Sequence, residues 1–260
     1  MGTLCLLATT ASAQHPFYWK GAYSSDATLA ANWLDAPNGA ERTFAPYHNG
    51  DRTAACSLFF YDSVEPFTKT VSGGSWFMRT VGVQGGGWHI STYTRPQFIV
   101  SEGAGTNVMN TSVMNANANN AALNITVGPG NTLTYLNVQL QTLSSIVHIG
   151  GGGTFVLTTS NVIWGDNANL TTEVRLTDST FRAEHTTPIR NNRGTVRFMT
   201  SAARLQYKAT PAQAKALFGT MFINTYAETS GRDYRLHAAD IGGGYVEVSL
   251  IPPGTLLFMK

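Results

Sequence analysis

Ile125-Thr126-Val127 with Leu133-Thr134-Tyr135, Val147-His148-Ile149 with Phe155-Val156-Leu157, Val174-Arg175-Leu176 with Phe181-Arg182-Ala183, and Val196-Arg197-Phe198 with Leu205-Gln206-Tyr207 are four versions of one pattern. In every run but Phe155-Val156-Leu157, apolar and polar residues alternate. Each run is followed by small or turn-forming residues and then by a second such run. Alternation with a period of two marks a strand buried on one face only. The first members start 22, 27 and 22 residues apart. A repeat of this length is the span of one coil of a β-helix, whose apolar face is buried only when coils stack. An antiparallel sandwich of hairpins also places strands every 8–12 residues, so it stands as the alternative. The expected fold is therefore all-β, a β-solenoid over residues 54–207.

The composition agrees with stacked strands. Of 260 residues, 43% are hydrophobic, which is enough for a sizeable core. Only 12% are charged, about half of the usual ~25%. The polar surface is supplied instead by Thr, Ser, Asn and Gly. Thr suits strands, while Asn and Gly suit turns. Stacking coils places like residues above one another, and a low charge avoids repulsion between them. The net charge of +2 creates no field that would attract nucleic acid. Asn115, Asn117, Asn119 and Asn120 crowd together; at a spacing of two they would form an amide row on an extended strand.

Outside the repeats the chain divides into three further parts. Residues 1–13 hold the apolar run Thr3–Ala8 and the small-x-small triplet Ala11-Ser12-Ala13, a signal-peptide pattern with cleavage before Gln14. Residues 14–53 form an aromatic arm or cap, with Phe17-Tyr18-Trp19 and Asn32-Trp33. Residues 208–260 form a C-terminal cap. In it Thr210-Pro211-Ala212-Gln213 is a capping box with Pro at the first helical position, predicting one short helix near 211–218 that ends at Gly219. Tyr245–Leu250 returns to strand, and Pro252-Pro253 stops it. No segment reaches the ~20 apolar residues of a membrane span. After signal cleavage Cys56 is the sole cysteine, so no disulfide forms within the chain.

Catalytic patterns are missing from the sequence. Asp166, Asp178 and Glu184 do not recur at matching positions in successive coils, whereas polysaccharide cleavage needs converging carboxylates. The six His (15, 48, 89, 148, 185, 237) show no metal-ligand spacing. His148 lies between Val147 and Ile149, so alternation points it away from their face. Gly150–Gly153 lacks the Lys-Ser/Thr of a phosphate loop and reads as a turn. No cofactor, metal or catalytic residue is assigned, and the chain is read as a non-enzyme. Three glycosylation sequons begin at Asn110, Asn124 and Asn169. Trp19, Trp33, Trp76, Trp88 and Trp164 are candidates for stacking on sugars, against the commoner role of filling a core.

The segment Tyr18-Trp19-Lys20-Gly21…Asn32-Trp33 resembles the W-x-G…N-W opening of bacterial autotransporter-associated β-strand repeat proteins. Gly153-Thr154-Phe155-Val156-Leu157 followed by Thr158-Thr159-Ser160-Asn161 is similar to their G-G-T-L-x-L…x-N coil. The resemblance covers residues 17–35 and 120–207. It implies a right-handed parallel β-helix displayed outside the cell, and it carries no catalytic residues. The expected function is that of a secreted structural or adhesive surface protein. It would self-assemble head to tail into filaments, with Phe17, Tyr18 and Trp19 as a strand arm contacting the next subunit. The same arm can instead fold back over its own first coil. The alternative function is a β-helix that binds or cleaves carbohydrate, with surface glycans as partners.

Overall fold

A computed structural model of the chain describes residues 15–20, 29–43, 56–61, 75–81, 87–90, 98–111, 113–116, 123–136, 139–142, 146–158, 163–165, 172–189 and 194–254. The signal-like segment 1–13, Asn117 to Asn120, the sequon at Asn169 and the tail after Gly254 lie outside these residues.

The alternating runs form strands, and they pair in parallel with their counterparts in the next coil. One ladder contains His15–Trp19, Cys56–Tyr61, Ser75–Val81, the first half of Phe98–Thr111, Leu123–Val127, Ile146–Gly150, Thr172–Leu176, Gly194–Phe198 and Phe222–Ile223. A second contains Gly87–Ile90, the second half of Phe98–Thr111, Asn131–Leu136, Thr154–Leu157, Thr180–Ala183 and Arg204–Lys208. A short third ladder joins Val113–Ala116, Gln139–Thr142 and Ile163–Gly165. This is a parallel β-solenoid. The parallel pairing in all three ladders rules out the antiparallel sandwich.

Register decides what fills the core. In the first ladder Ile125, Ile149, Leu176 and Phe198 face one another across successive coils, as do Leu123, Val147, Val174, Val196 and Phe222. In the second, Leu133, Phe155, Phe181 and Leu205 align, beside Tyr135, Leu157, Ala183 and Tyr207. All of these side chains are buried. Each Val, Leu, Ile or Phe among them contributes about 1.5–3 kcal/mol by leaving water. Tyr135 meets Phe155 edge-on at 5.5 Å, and Phe155 stacks with Phe181 at 5.8 Å. One detail departs from the sequence spacing: Ile125 faces Ile149, not Val147. The shift is two residues, so every side chain keeps its face.

The corners between the first two ladders are tight. The Gly153 N–H donates to the Val127 carbonyl at 2.8 Å, and a Cβ on Gly153 would lie 2.3 Å from the Gly128 oxygen. Polar groups inside one corner satisfy each other. Asn107 Nδ2 donates to Ser101 Oγ at 2.7 Å, Ser101 Oγ donates to Asn131 Oδ1, and Asn131 Nδ2 donates to the Glu102 carbonyl at 3.2 Å. All three side chains are buried. A closed polar set of this kind avoids the ~1–3 kcal/mol penalty of each unpaired buried group.

Both ends of the stack change strand direction. At the C-terminal end Tyr245–Ile251 pairs antiparallel with Arg204–Lys208, and Arg235–Gly242 pairs antiparallel with it in turn. The outermost strand carries Arg235, Asp240 and a register irregularity between Asp240 and Gly242. Charges and bulges of this kind discourage further edge pairing. The expected helix forms as α1 (Pro211–Lys215) with the full capping box: Gln213 N–H donates to Thr210 Oγ1, and Thr210 N–H donates to Gln213 Oε1. It stops at Lys215 rather than residue 218, because Phe218 makes a bridge to Phe222 and the backbone tightens around Leu217. A second helix, α2 (Thr225–Ser230), starts at Asn224, whose Oδ1 accepts from Ala227 N–H, and ends at Gly231 with φ +67°. At the other end Trp33–Leu34 pairs antiparallel with His15–Trp19.

Candidate functional site

Three places on the solenoid gather chemistry-bearing side chains: the aromatic first rung and the outward faces of the two long ladders. The strand His15–Trp19 sits between Trp33–Leu34 and Cys56–Tyr61. Phe17 and Trp19 are buried, and both meet Trp33 edge-on, at 5.9 and 4.9 Å. Tyr18, on the opposite face, stacks on Phe59 at 4.4 Å. The Arg42 guanidinium lies 4.9 Å from the Phe17 ring. Within one chain, then, the arm residues Phe17, Tyr18 and Trp19 pack on their own first coil, and Trp19 and Trp33 have no free ring face for a sugar. Trp76, Trp88 and Trp164 fall on strands, but their side chains are outside the described set.

The outward face of the first ladder carries one column of polar positions: Asn124, His148, Arg175 and Arg197 are register partners on successive coils. Glu173 sits beside them. Its Oε1 accepts from Arg175 Nε, and its Oε2 accepts from Arg197 Nε at 2.8 Å. Partial burial pushes the Glu173 carboxyl up, but the hydrogen bonds and charges of Arg175 and Arg197 outweigh this and hold it below the usual range. Burial, aided by Arg175 and opposed by Glu173, holds the His148 imidazole below its ordinary value. One carboxylate thus clamps guanidiniums from two coils, which favours a role in holding coils together.

The outward face of the second ladder differs. Thr106, Thr132, Thr154 and Thr180 align as a column that ends at Arg204. In the next column Arg182, Gln206 and Glu247 lie abreast, and Lys208 lies abreast of Tyr245. Glu247 accepts from Gln206 Nε2 at 3.0 Å and pairs with Arg204 at 3.6 Å. The Arg182 guanidinium lies over the Tyr245 ring at 4.2 Å, and the Lys208 ammonium is 5.8 Å from the same ring. This cluster was not foreseen, because it joins a coil strand to the C-terminal hairpin. Alternation at Arg182 and Lys208 was the only sequence signal for it.

Sequence reading also missed the Ser101–Asn107–Asn131 corner. Among the described residues no three His, Cys, Asp or Glu side chains gather as metal ligands would, and no helix is long and apolar enough to cross a membrane. Asp178 and Glu184 stand apart: Asp178 is at a corner with φ +51°, and Glu184 follows the strand Thr180–Ala183. Asp166 is outside the described residues. The chain matches no family model, and no curated protein or solved structure is significantly similar to it.

Proposed function

We propose that this chain is a secreted structural scaffold of a cell surface, assembling through exchange of its N-terminal strand between neighbouring subunits. One observation carries the reading. Successive strands of the first ladder are 18 (57 to 75) to 27 (147 to 174) residues apart, but the first step, His15 to Cys56, spans 41. A long connection lets the same strand reach a neighbour's Cys56–Tyr61 and re-form the same pairing there. Exchange of an identical element adds subunits at little free-energy cost, since few new contact types are needed. The low charge, the threonine-rich faces and the small-x-small triplet before Gln14 support an extracellular setting. A head-to-tail exchange that does not close on itself makes a filament.

The test uses a cysteine pair at Tyr18 and Phe59, which are register partners, in a chain that starts at Gln14 and carries Cys56→Ser so that no third thiol can cross-link. After oxidation of concentrated protein, exchanged subunits are linked to one another and run as covalent multimers on a denaturing gel. Unexchanged chains carry only an internal bridge and run as monomers. Multimers, together with filaments or oligomers in electron micrographs that vanish when residues 14–23 are deleted, are expected. Monomers only, across salt and concentration, overturn the proposal.

A further inference from the structure

Among the described residues, the second ladder carries two cations that pair with no carboxylate. Among the described residues Arg182 and Lys208 have no ion pair, and the Arg182 side chain makes no hydrogen bond. The Arg182 Nε is buried without an acceptor. Glu247, abreast of Gln206, is already shared between Arg204 and Gln206. Glu184 is adjacent in the ladder, one position past the Ala183–Tyr207 pair, yet no ion pair joins it to Lys208. Two like charges over one aromatic ring repel each other and favour a shared anion. A guanidinium fork offers paired N–H groups that suit the two oxygens of a carboxylate.

The surroundings narrow the class of anion. The column Thr106–Thr132–Thr154–Thr180 leads along the stack directly to Arg204, beside Arg182. Its side chains are half-buried and outward by alternation, so they line a flat hydroxyl track parallel to the stacking axis. An extended chain of sugars meets such a track with its own hydroxyls. We propose that this face binds an acidic polysaccharide, with a sugar carboxylate held between Arg182 and Lys208 at Tyr245 and the neighbouring sugars along the threonine column. The proposal is independent of strand exchange, because it uses the opposite end of the stack.

The experiment is titration calorimetry of the full chain with a soluble polyuronate, a neutral polysaccharide of matched length, and inorganic phosphate. Binding to the polyuronate alone is expected, weakening as salt rises because the charges are partly exposed. Lys208→Gln and Arg182→Gln should each weaken it roughly tenfold, the value of one charge-assisted hydrogen bond. Lys20→Gln, at the other end of the stack, should leave it unchanged. Thermal melting checks that each variant folds; if Arg182→Gln does not, Lys208→Gln carries the test. Absence of polyuronate binding, equal binding of the neutral polymer or phosphate, or unchanged affinity in Lys208→Gln overturns the proposal. Binding that survives deletion of residues 14–23 while oligomers vanish separates this face from the assembly reading.

Discussion

Replacing Gly153 with Ala tests whether close approach of backbones at the corners sets the spacing of the coils. The added Cβ would lie 2.3 Å from the Gly128 oxygen, 2.6 Å from the Asn131 oxygen and 2.7 Å from Val127 Cγ1. Two of these atoms are backbone, so no side chain can rotate away. Both oxygens belong to the preceding coil, where the Asn131 N–H donates to the Gly128 carbonyl at 3.0 Å and the Gly128 N–H donates to the Ser101 carbonyl at 2.8 Å. Relief of about 1 Å must therefore come from parting the coils. That stretches the 2.8 Å bond from Gly153 N–H to the Val127 carbonyl. Overpacking costs about 1–3 kcal/mol, and one weakened hydrogen bond adds about 0.5–1.5 kcal/mol. The expected loss is about 1.5–4.5 kcal/mol. Gly130→Ala is the control: its φ is +74°, but nothing lies within 4 Å of the new Cβ, so only about 1–2 kcal/mol of left-handed strain is expected. Urea unfolding followed by circular dichroism measures both, read as the shift in midpoint at constant slope. If Gly153→Ala costs no more than Gly130→Ala, the corners are not close-packed and the argument fails.

Phe181→Ala removes a fully buried ring between Phe155 and Leu205; a loss of about 3–5 kcal/mol is expected in the same unfolding assay. Thr210→Ala deletes the side-chain half of the capping box of α1 and should cost about 1 kcal/mol, with the loss seen first as faster hydrogen exchange at Gln213. The Glu173 carboxyl is held low in the folded state, so its contribution is present above the unfolded value of about 4.3 and is lost as pH falls through the lower folded value; Glu173→Gln should flatten the acid limb of the stability–pH curve. His148 is also held low, so the folded state takes up fewer protons than the unfolded chain, and stability should fall as pH drops below about 6.5; His148→Gln should remove that component.

The long-ladder strands of residues 123–207 were legible because all but Thr154–Leu157 keep a period of two whatever the loop length, whereas the short third-ladder strands Gln139–Thr142 and Ile163–Gly165 carry no such signal and were missed. Thr126, His148, Arg175 and Arg197 each separate two buried residues, and the parity of each strand is visible without knowing its partner. Exact partners were not legible. Ile125 pairs with Ile149 because corner geometry, not motif spacing, sets the register between those two coils. The capping box at Thr210 and Gln213 was readable as local chemistry, whereas the early stop at Lys215 depends on the Phe218–Phe222 bridge. α2 had its signals in Asn224 and Gly231, but its six residues carry no apolar periodicity. The polar corner and the Arg182–Tyr245–Lys208 cluster were hidden for a different reason. Ser101 and Asn131 are 30 residues apart, and Arg182 and Tyr245 meet only after the hairpin doubles back. Alternation tells which way a side chain points, but not which distant chain segment it will find there.

The antiparallel hairpin at the C-terminal end has a consequence for the order in which the protein is made. After the 41-residue first step, neighbouring coils pair across 18 to 27 residues, so each can dock soon after it leaves the ribosome or a secretion pore. The strand Arg204–Lys208 waits for Tyr245–Ile251, 45 residues later (204 to 249). During that interval a growing chain presents an open, hydrogen-bond-hungry template on its newest coil. At synthesis rates of about 5–20 residues per second the exposure lasts a few seconds. Only the arrival of the hairpin converts an extendable surface into a finished particle, so truncation before Tyr245 should yield a chain that recruits its own kind through the wrong end.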